Sequence, residues 1–386
     1  MTGHPSAEAP RVAFLVESME PRRGGAERAV LDVALELRER GVDVAVFAPA
    51  DRCLEPATSA VPLHPVALPS GGRARRARAL ATRLPEQARA AGFERLVGCG
   101  KVGDCDIHWP HGGVHEAALR ASCGAGRSAA RAALALGARR LRPVERVFKD
   151  LEERCYARVR AGESRVVAIS ERVRRDMVRH HDLTPQQVPV CWNGAPTERY
   201  RPLRGEALLA ARRALLTTLG LEAPRVLVAF VAMNPRLKGE ARLGRVAKAL
   251  PESYQVLYIG APPKRRLGPR ERALGPRDDL QKLLPICDVL ALPTHYDPCS
   301  LVTLEAMSAG VPVITSPENG AAELLQDGEG LWIVDDDAAL LEALESLTHD
   351  PEGRLRRAAH ARESAARWRR ADAAGRLLEL ISAPFR

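Results

Sequence analysis

The residues best placed to do chemistry stand in one stretch late in the chain: Asp297-Pro298-Cys299-Ser300-Leu301-Val302-Thr303-Leu304-Glu305, then Ala306-Met307-Ser308-Ala309-Gly310. Asp297 and Glu305 are eight residues apart with a helix start between them. Asp-Pro turns the chain into a new element, and Ser300 is a good N-cap. The spacing predicts a helix from about Leu301 to Ala309, stopped at Gly310. The free N–H groups of that helix start suit a phosphate. The two carboxylates, one before the helix and one on its second turn, can accept hydrogen bonds from sugar hydroxyls. A nucleotide-sugar needs both.

Such a site has to be held by a larger frame. The 386 residues are too many for one ordinary core and predict two domains. Arg11–Val16 is an apolar run of strand length. Ala26–Arg40 has helical periodicity, through Ala26, Val30, Val33, Ala34 and Leu37, and closes at Gly41. Val42–Phe47 is a second strand, so the chain opens with a βαβ unit whose helix follows the glycine pair Gly24-Gly25. A basic helical stretch at 73–91, short strands at Arg95–Val97 and Asp106–His108, a largely helical region at 116–160, a strand at Val166–Ile169 and a helix from Ser170-Glu171 complete the first half. Asn193-Gly194 is a strong turn signal. Beyond it, strands at Arg225–Val231, Gln255–Ile259, Val289–Leu292 and Val311–Thr315 alternate with helical segments, which predicts a second parallel sheet covered by helices. The last helix is read as one piece from about Pro351 to Ile381. The predicted division is a first domain over 1–190, a second over 191–365, and a terminal helix over 366–386 packing back towards the first.

Within this frame the segment 288–325 resembles the donor-binding half of the GT-B-fold family 4 glycosyltransferases, whose Glu-x7-Glu motif stands here as Asp297-x7-Glu305. Four further features are similar to that family, in the same order along the chain: Gly24-Gly25-Ala26-Glu27-Arg28, Ser170-Glu-Arg-Val-Arg-Arg175, Asn193-Gly194, and Arg236-Leu-Lys238-Gly239. Within the family, Gly98–Asp106, Tyr296-Asp-Pro298 and Asn319-Gly-Ala-Ala-Glu323 look like the lipopolysaccharide-core glucosyltransferases that add glucose to heptose. The resemblance implies an α/β, GT-B architecture of two Rossmann-like parallel-sheet domains facing across a cleft, the first for acceptor and the second for a UDP-sugar.

Roles follow from the match. Arg236 and Lys238 lie just past a strand end, in the crevice where parallel sheets bind ligands, and can neutralise the diphosphate as its charge grows. Glu305 resembles the acid that holds the ribose hydroxyls. Asp297 would hold hydroxyls of the transferred sugar; the family usually has Glu there, one methylene longer. Cys299, Ser300, Leu301 and Val302 would offer backbone N–H groups to the phosphate. Gly24 and Gly25 let backbone approach the donor closely. His111, in Trp109-Pro-His-Gly-Gly113, would contact the sugar or the backbone of the reacting centre. The implied chemistry is retaining transfer by front-side attack, with no metal and no cofactor beyond the donor. Two other readings stay open: a family 4 transferase acting on exopolysaccharide or a secondary metabolite, and a non-catalytic UDP-sugar-binding protein.

Two motifs point elsewhere. Gly98-Cys-Gly100-Lys-Val-Gly103 fits a dinucleotide fingerprint, yet the residues after it are not helix-like, as that fingerprint requires. Asp104-Cys-Asp106 matches the Asp-x-Asp that a different glycosyltransferase fold uses for a metal; given the resemblance to GT-B proteins, a strand-edge role is expected instead. Net charge is +10, mostly from arginine. Arginines at 120, 127, 131, 139, 140, 142 and 146 flank Ala132-Ala-Leu-Ala-Leu136, a basic amphipathic pattern that suggests docking of 120–146 on an anionic membrane. Arginine is not interleaved with aromatics, so nucleic acid is not the expected partner. No apolar run approaches 18 residues, the first ten residues lack a signal-peptide core, and the eight cysteines form no CxxC pair. These features predict a cytoplasmic protein with reduced thiols, peripheral at the inner face of the membrane.

Overall fold

The computed structural model describes residues 10–20, 25–53, 60–221, 226–324 and 330–384. The first sheet holds β1 (Val12–Leu15), β2 (Val44–Pro49), β3 (Leu63–Val66), β4 (Arg95–Gly98), β5 (Ile107–His108) and β6 (Arg165–Val166), in the order β3-β2-β1-β4-β5-β6. The second holds β7 (Val226–Ala232), β8 (Tyr254–Gly260), β9 (Glu271–Gly275), β10 (Val289–Leu292), β11 (Val313–Thr315) and β12 (Leu331–Ile333), in the order β12-β11-β10-β7-β8-β9. All these pairings are parallel. Read from β9 inwards, the second order repeats the first. Each is the doubly wound arrangement whose direction reverses once, between β1 and β4 and between β7 and β10.

Burial explains the strands. β1, β2, β8 and β10 are buried along their whole length and β7 over six of its seven residues, because helices cover both faces, so their sequences run apolar without alternation. β3, β9 and β12 are not anticipated by the sequence reading. They are three of the four edge strands, where only one neighbour supplies hydrogen bonds and less side chain is buried.

The helical stretch expected over 116–160 is three helices, His115–Gly124, Ala129–Arg140 and Pro143–Arg160. The second break falls where Pro143 takes the first helical position, which needs no N–H partner. The last helix is also broken, into Pro351–Arg367 and Arg370–Ser382. At the break the Trp368 carbonyl accepts the Ala195 N–H at 2.6 Å, and the Trp368 indole donates to the Leu324 carbonyl at 3.2 Å. The chain thus crosses out of the first domain and returns at one place. Ala374, Leu377 and Ile381 of the returning helix are buried in the first domain's core. Arg370 pairs with Asp32 at 2.9 Å, and Arg40 donates to the Ala371 carbonyl at 2.6 Å.

Candidate active site

The strand ends of the two sheets border a cleft of about 450 Å³. On the second domain, Lys238 follows β7 and Asp297 follows β10, so the two stand on either side of the reversal point. Lys238 Nζ lies 2.5 Å from Asp297 Oδ2, with the acid almost fully buried. Local backbone makes this possible. Gly239 has φ +86°, and a Cβ there would sit 1.9 Å from the Pro293 carbonyl oxygen, so only glycine lets the lysine turn lie against the end of β10. The Leu237 carbonyl accepts the His295 N–H at 2.8 Å and the Thr294 hydroxyl at 3.0 Å. Asp297 is fixed by its own N–H on the Glu318 carbonyl at 2.9 Å and by its carbonyl, which accepts the Gly320 N–H at 2.8 Å.

The helix after Asp297 runs Leu301–Ser308, with Ser300 as its cap accepting from Thr303 N at 3.4 Å. Asn319, which the sequence reading gave no role, is the organiser beneath it. Its fully buried amide accepts from Ser300 N and Ala321 N and donates to the Thr303 and Thr315 hydroxyls, all within 3.0–3.3 Å. Cys299, Ser300, Leu301 and Val302 line the cleft beside Asp297 and Glu305. The Ser300 N–H is thus occupied by Asn319, whereas those of Leu301 and Val302 precede the first intrahelical bonds. Glu305 is 7% exposed, and burial pushes its carboxyl above the usual range, opposed by Arg28, Tyr200 and Arg199. Arg28 belongs to the first domain's Gly25–Glu39 helix, and Gly25 at its start also lines the cleft. Gly24 lies outside the described residues.

His111 projects from the loop after β5. It is 8% exposed, its ring packs edge-on against Trp109, and burial holds its pKa down at about 4. Its Nε2 has no hydrogen-bond partner. Two residues on, Gly113 has φ +68°, and a Cβ there would meet the Tyr296 hydroxyl at 2.2 Å. Tyr296 in turn donates to Asp176 at 3.3 Å beneath the Arg172 guanidinium. Ser170, cap of the Glu171–His181 helix, donates to the Pro298 carbonyl at 2.6 Å, and Glu323 accepts the Glu171 N–H at 2.7 Å. The loop carrying Asp297 is therefore docked on the first domain.

Arg236 is placed differently from Lys238. It is not among the cleft-lining residues; its guanidinium donates to the Ser122 carbonyl, across the domains. Arg277, which the sequence reading missed, does line the cleft, beyond β9. It is locked side-on to Asp279 at 2.8 and 2.6 Å. Its only sequence signal was a cation shortly after a strand that itself went unread. The Asp-x-Asp pair is spent at a strand edge: Asp106 accepts from Leu96 N at 2.7 Å and pairs with Arg89 at 2.6 Å, while Asp104 faces Arg158. The glycine-rich run 98–103 leads into loop, not helix.

Comparisons with known proteins agree with this frame. Residues 224–350 match the family model for glycosyl transferases group 1, and residues 23–100 match that for glycosyltransferase family 4. The chain is 27% identical over 256 residues to the D-inositol 3-phosphate glycosyltransferase of Corynebacterium kroppenstedtii, covering 60% of this chain and 56% of that one. It therefore spans little more than half the length of that relative. WaaG, a glycosyltransferase involved in lipopolysaccharide biosynthesis, superposes with a TM-score of 0.78 at 19% identity, covering 97% of this chain and all of that one. Anabaena HepE, solved in complex with UDP-glucose, gives 0.68 at 17% identity, over 96% and 98%. By its fold the chain is a GT-B protein, and two of its segments match the models for glycosyl transferases group 1 and glycosyltransferase family 4.

Proposed function

We propose that the chain moves a hexose, glucose first, from a UDP-sugar to a glycan or glycolipid acceptor of the cell envelope, of the lipopolysaccharide-core kind, with retention and without a metal. The observation that carries this is the Lys238–Asp297 pair at the β7/β10 reversal point, beside the start of the Leu301–Ser308 helix. Lys238 would leave Asp297 for the diphosphate, joined by Arg236 once that side chain releases Ser122. Asp297 would accept from the hexose hydroxyls and Glu305 from the ribose. The acceptor oxygen bonds to the anomeric carbon on the face that UDP leaves, the bond from that carbon to the phosphate oxygen breaks, and the acceptor's proton passes to the departing phosphate. The residues contribute positioning and charge stabilisation. Thermal stabilisation by UDP, with slow UDP-glucose hydrolysis that Asp297→Ala and Glu305→Ala strongly reduce, is the expected result. A protein that UDP does not stabilise would sink the reading.

Membrane docking through 120–146 is part of the same proposal. The Ala129–Arg140 helix buries no residue, and Leu134 and Leu141 are 75% and 70% exposed among arginines. Such a face suits anionic headgroups. Vesicles rich in phosphatidylglycerol should carry the protein down at low salt, and no co-sedimentation there would remove this part.

A further inference from the structure

The first sheet has a reversal point of its own, and a cavity of about 240 Å³ lies at it. Its walls are Glu17 and Ser18 after β1, Glu27 on the first helical turn, Gly100 and Lys101 after β4, and His111. Ala26, His111 and Gly112 line both this cavity and the donor cleft, so the two chambers share a wall. No donor role uses Glu17, Glu27 or Lys101.

We propose that this chamber seats the reacting unit of the acceptor and selects an uncharged, hydroxyl-rich ring, a single sugar or cyclitol bearing no phosphate. The inference rests on the transferase reading and adds the acceptor's chemical class. Size is the first argument: the volume lies below the roughly 300–1,000 Å³ of sites for drug-sized ligands and has room for one six-membered ring. Polarity is the second. Glu27 is held in a partly buried position with Ser18 as a hydrogen-bond partner, and Glu17 and Glu20 add negative charge beside it. Glu17 Oε1 accepts the Lys101 N–H at 2.7 Å and folds against Gly100, where a Cβ would stand 2.6 Å from the same oxygen. The glycine-rich run thus makes room for a carboxylate at the strand end. Ionised carboxylates only accept hydrogen bonds, so they welcome hydroxyls and repel a phosphate. The lysine among the described lining residues does not reverse this: Lys101 Nζ is drawn over the Phe148 ring at 4.9 Å, and its charge is offset by Glu152, a further carboxylate of the lining. Glu152 is also engaged, accepting from His115 N at 2.8 Å and facing His181. The third argument is His111. More than nine-tenths buried on the shared wall, its unpartnered Nε2 is the group that an acceptor hydroxyl next to the donor would satisfy.

The test begins with UDP, because stabilisation of the intact protein by UDP reads the donor site alone. Neutral rings (methyl glycosides of hexoses and heptoses, and myo-inositol) are then set against hexose 6-phosphates and inositol 3-phosphate. Binding is followed by saturation-transfer NMR, and products formed with UDP-glucose by mass spectrometry. A neutral ring should be bound and glycosylated with kcat/KM at least tenfold above its phosphorylated counterpart. Glu27→Gln should raise the acceptor KM about tenfold or more, and Gly100→Ala should do the same by displacing the Glu17 carboxylate. Melting curves show whether each variant is folded. A phosphorylated ring used equally well or better overturns the proposal. So does a folded Glu27→Gln with unchanged acceptor KM, or a protein that binds UDP but neither binds nor glycosylates any neutral ring. If UDP fails to bind, the donor reading falls by itself, and NMR binding of the rings still decides the chamber's preference.

Discussion

The two sheets wind identically and furnish their reversal points in opposite ways. Between β7 and β10 a lysine and an aspartate neutralise each other at 2.5 Å, and Asn319 is bonded on every side. Between β1 and β4 stand Glu17 and Glu27, with a buried imidazole nitrogen that has no partner. The winding determines where a ligand can lie; the side chains at the strand ends determine what it can be. The second-domain site is satisfied within the protein, so a ligand there must divide an ion pair. The first-domain chamber carries a buried polar group whose desolvation is uncompensated, so a ligand there relieves a cost.

Removing one half of the ion pair breaks this contrast most sharply. Asp297→Ala should lower UDP-glucose hydrolysis by about 10²–10³-fold, as the loss of a group acting on the transferred sugar does. It should also cost about 1–3 kcal/mol of stability, because the partly buried Lys238 is left without its hydrogen-bonding acid. The diagnostic result is the third: UDP should raise the melting temperature of Asp297→Ala by more than that of the parent, since Lys238 is already free for phosphate. A smaller UDP shift in the variant would mean that the pair does not compete with the donor.

Acidification probes the other side. Burial holds His108 and His111 at about 4, below the ordinary 6.5, so as pH falls the unfolded chain takes up protons first. Their stabilisation is complete above about pH 6.5 and is lost between there and about 4, on the order of 3 kcal/mol for each ring. Glu305 and Glu27, raised by burial, act in the opposite sense over part of that window. The comparison should therefore be between the parent and His111→Phe. The variant should lose less melting temperature from pH 7 to 5, and superimposable pH profiles would remove His111 as a buried neutral base.

What the sequence disclosed follows from these physical differences. β7, Val-Leu-Val-Ala-Phe-Val-Ala, is a buried strand and reads as one; the three edge strands that went unread are interrupted by Pro65 in β3, only three residues long in β12, and half-covered with charged residues in β9. The Asp297–Glu305 helix start was legible because capping and spacing are local. The role of Lys238 had to come from the resemblance, since its partner is dozens of residues away. Arg277 was lost together with β9. The orphaned nitrogen of His111 and the chamber beside Glu27 are properties of burial, which residue type alone does not carry.

A smaller effect is expected where the two halves touch. Ser170 both caps its helix, accepting from Val173 N at 3.1 Å, and donates to the Pro298 carbonyl next to Asp297. Ser170→Ala should cost about 1–2 kcal/mol in urea unfolding, from the cap and the buried carbonyl together. It should also weaken donor hydrolysis several-fold, because the acid's loop loses its support on the first domain. Ser170→Thr, which keeps the hydroxyl, should recover most of both; loss of stability with full activity would confine the residue to capping.

A last difference separates the two cations that the proposed function offers to the diphosphate. Lys238 sits in the crevice, held by the acid Asp297; Arg236 is exposed and bonded to the Ser122 carbonyl at the far end of the His115–Gly124 helix. To meet a phosphate, Arg236 must first give up a hydrogen bond worth about 1 kcal/mol net and order a long side chain, whereas Lys238 exchanges one anion for another nearby. Lys238→Ala should therefore lower kcat/KM for UDP-glucose hydrolysis by about 100-fold and Arg236→Ala by about tenfold. Only the arginine variant should also loosen the tie between the domains, seen as faster amide exchange at residues 122–125. Equal losses with unchanged exchange would show that Arg236 already serves the donor from its present position, and that its bond to Ser122 does not hold it back.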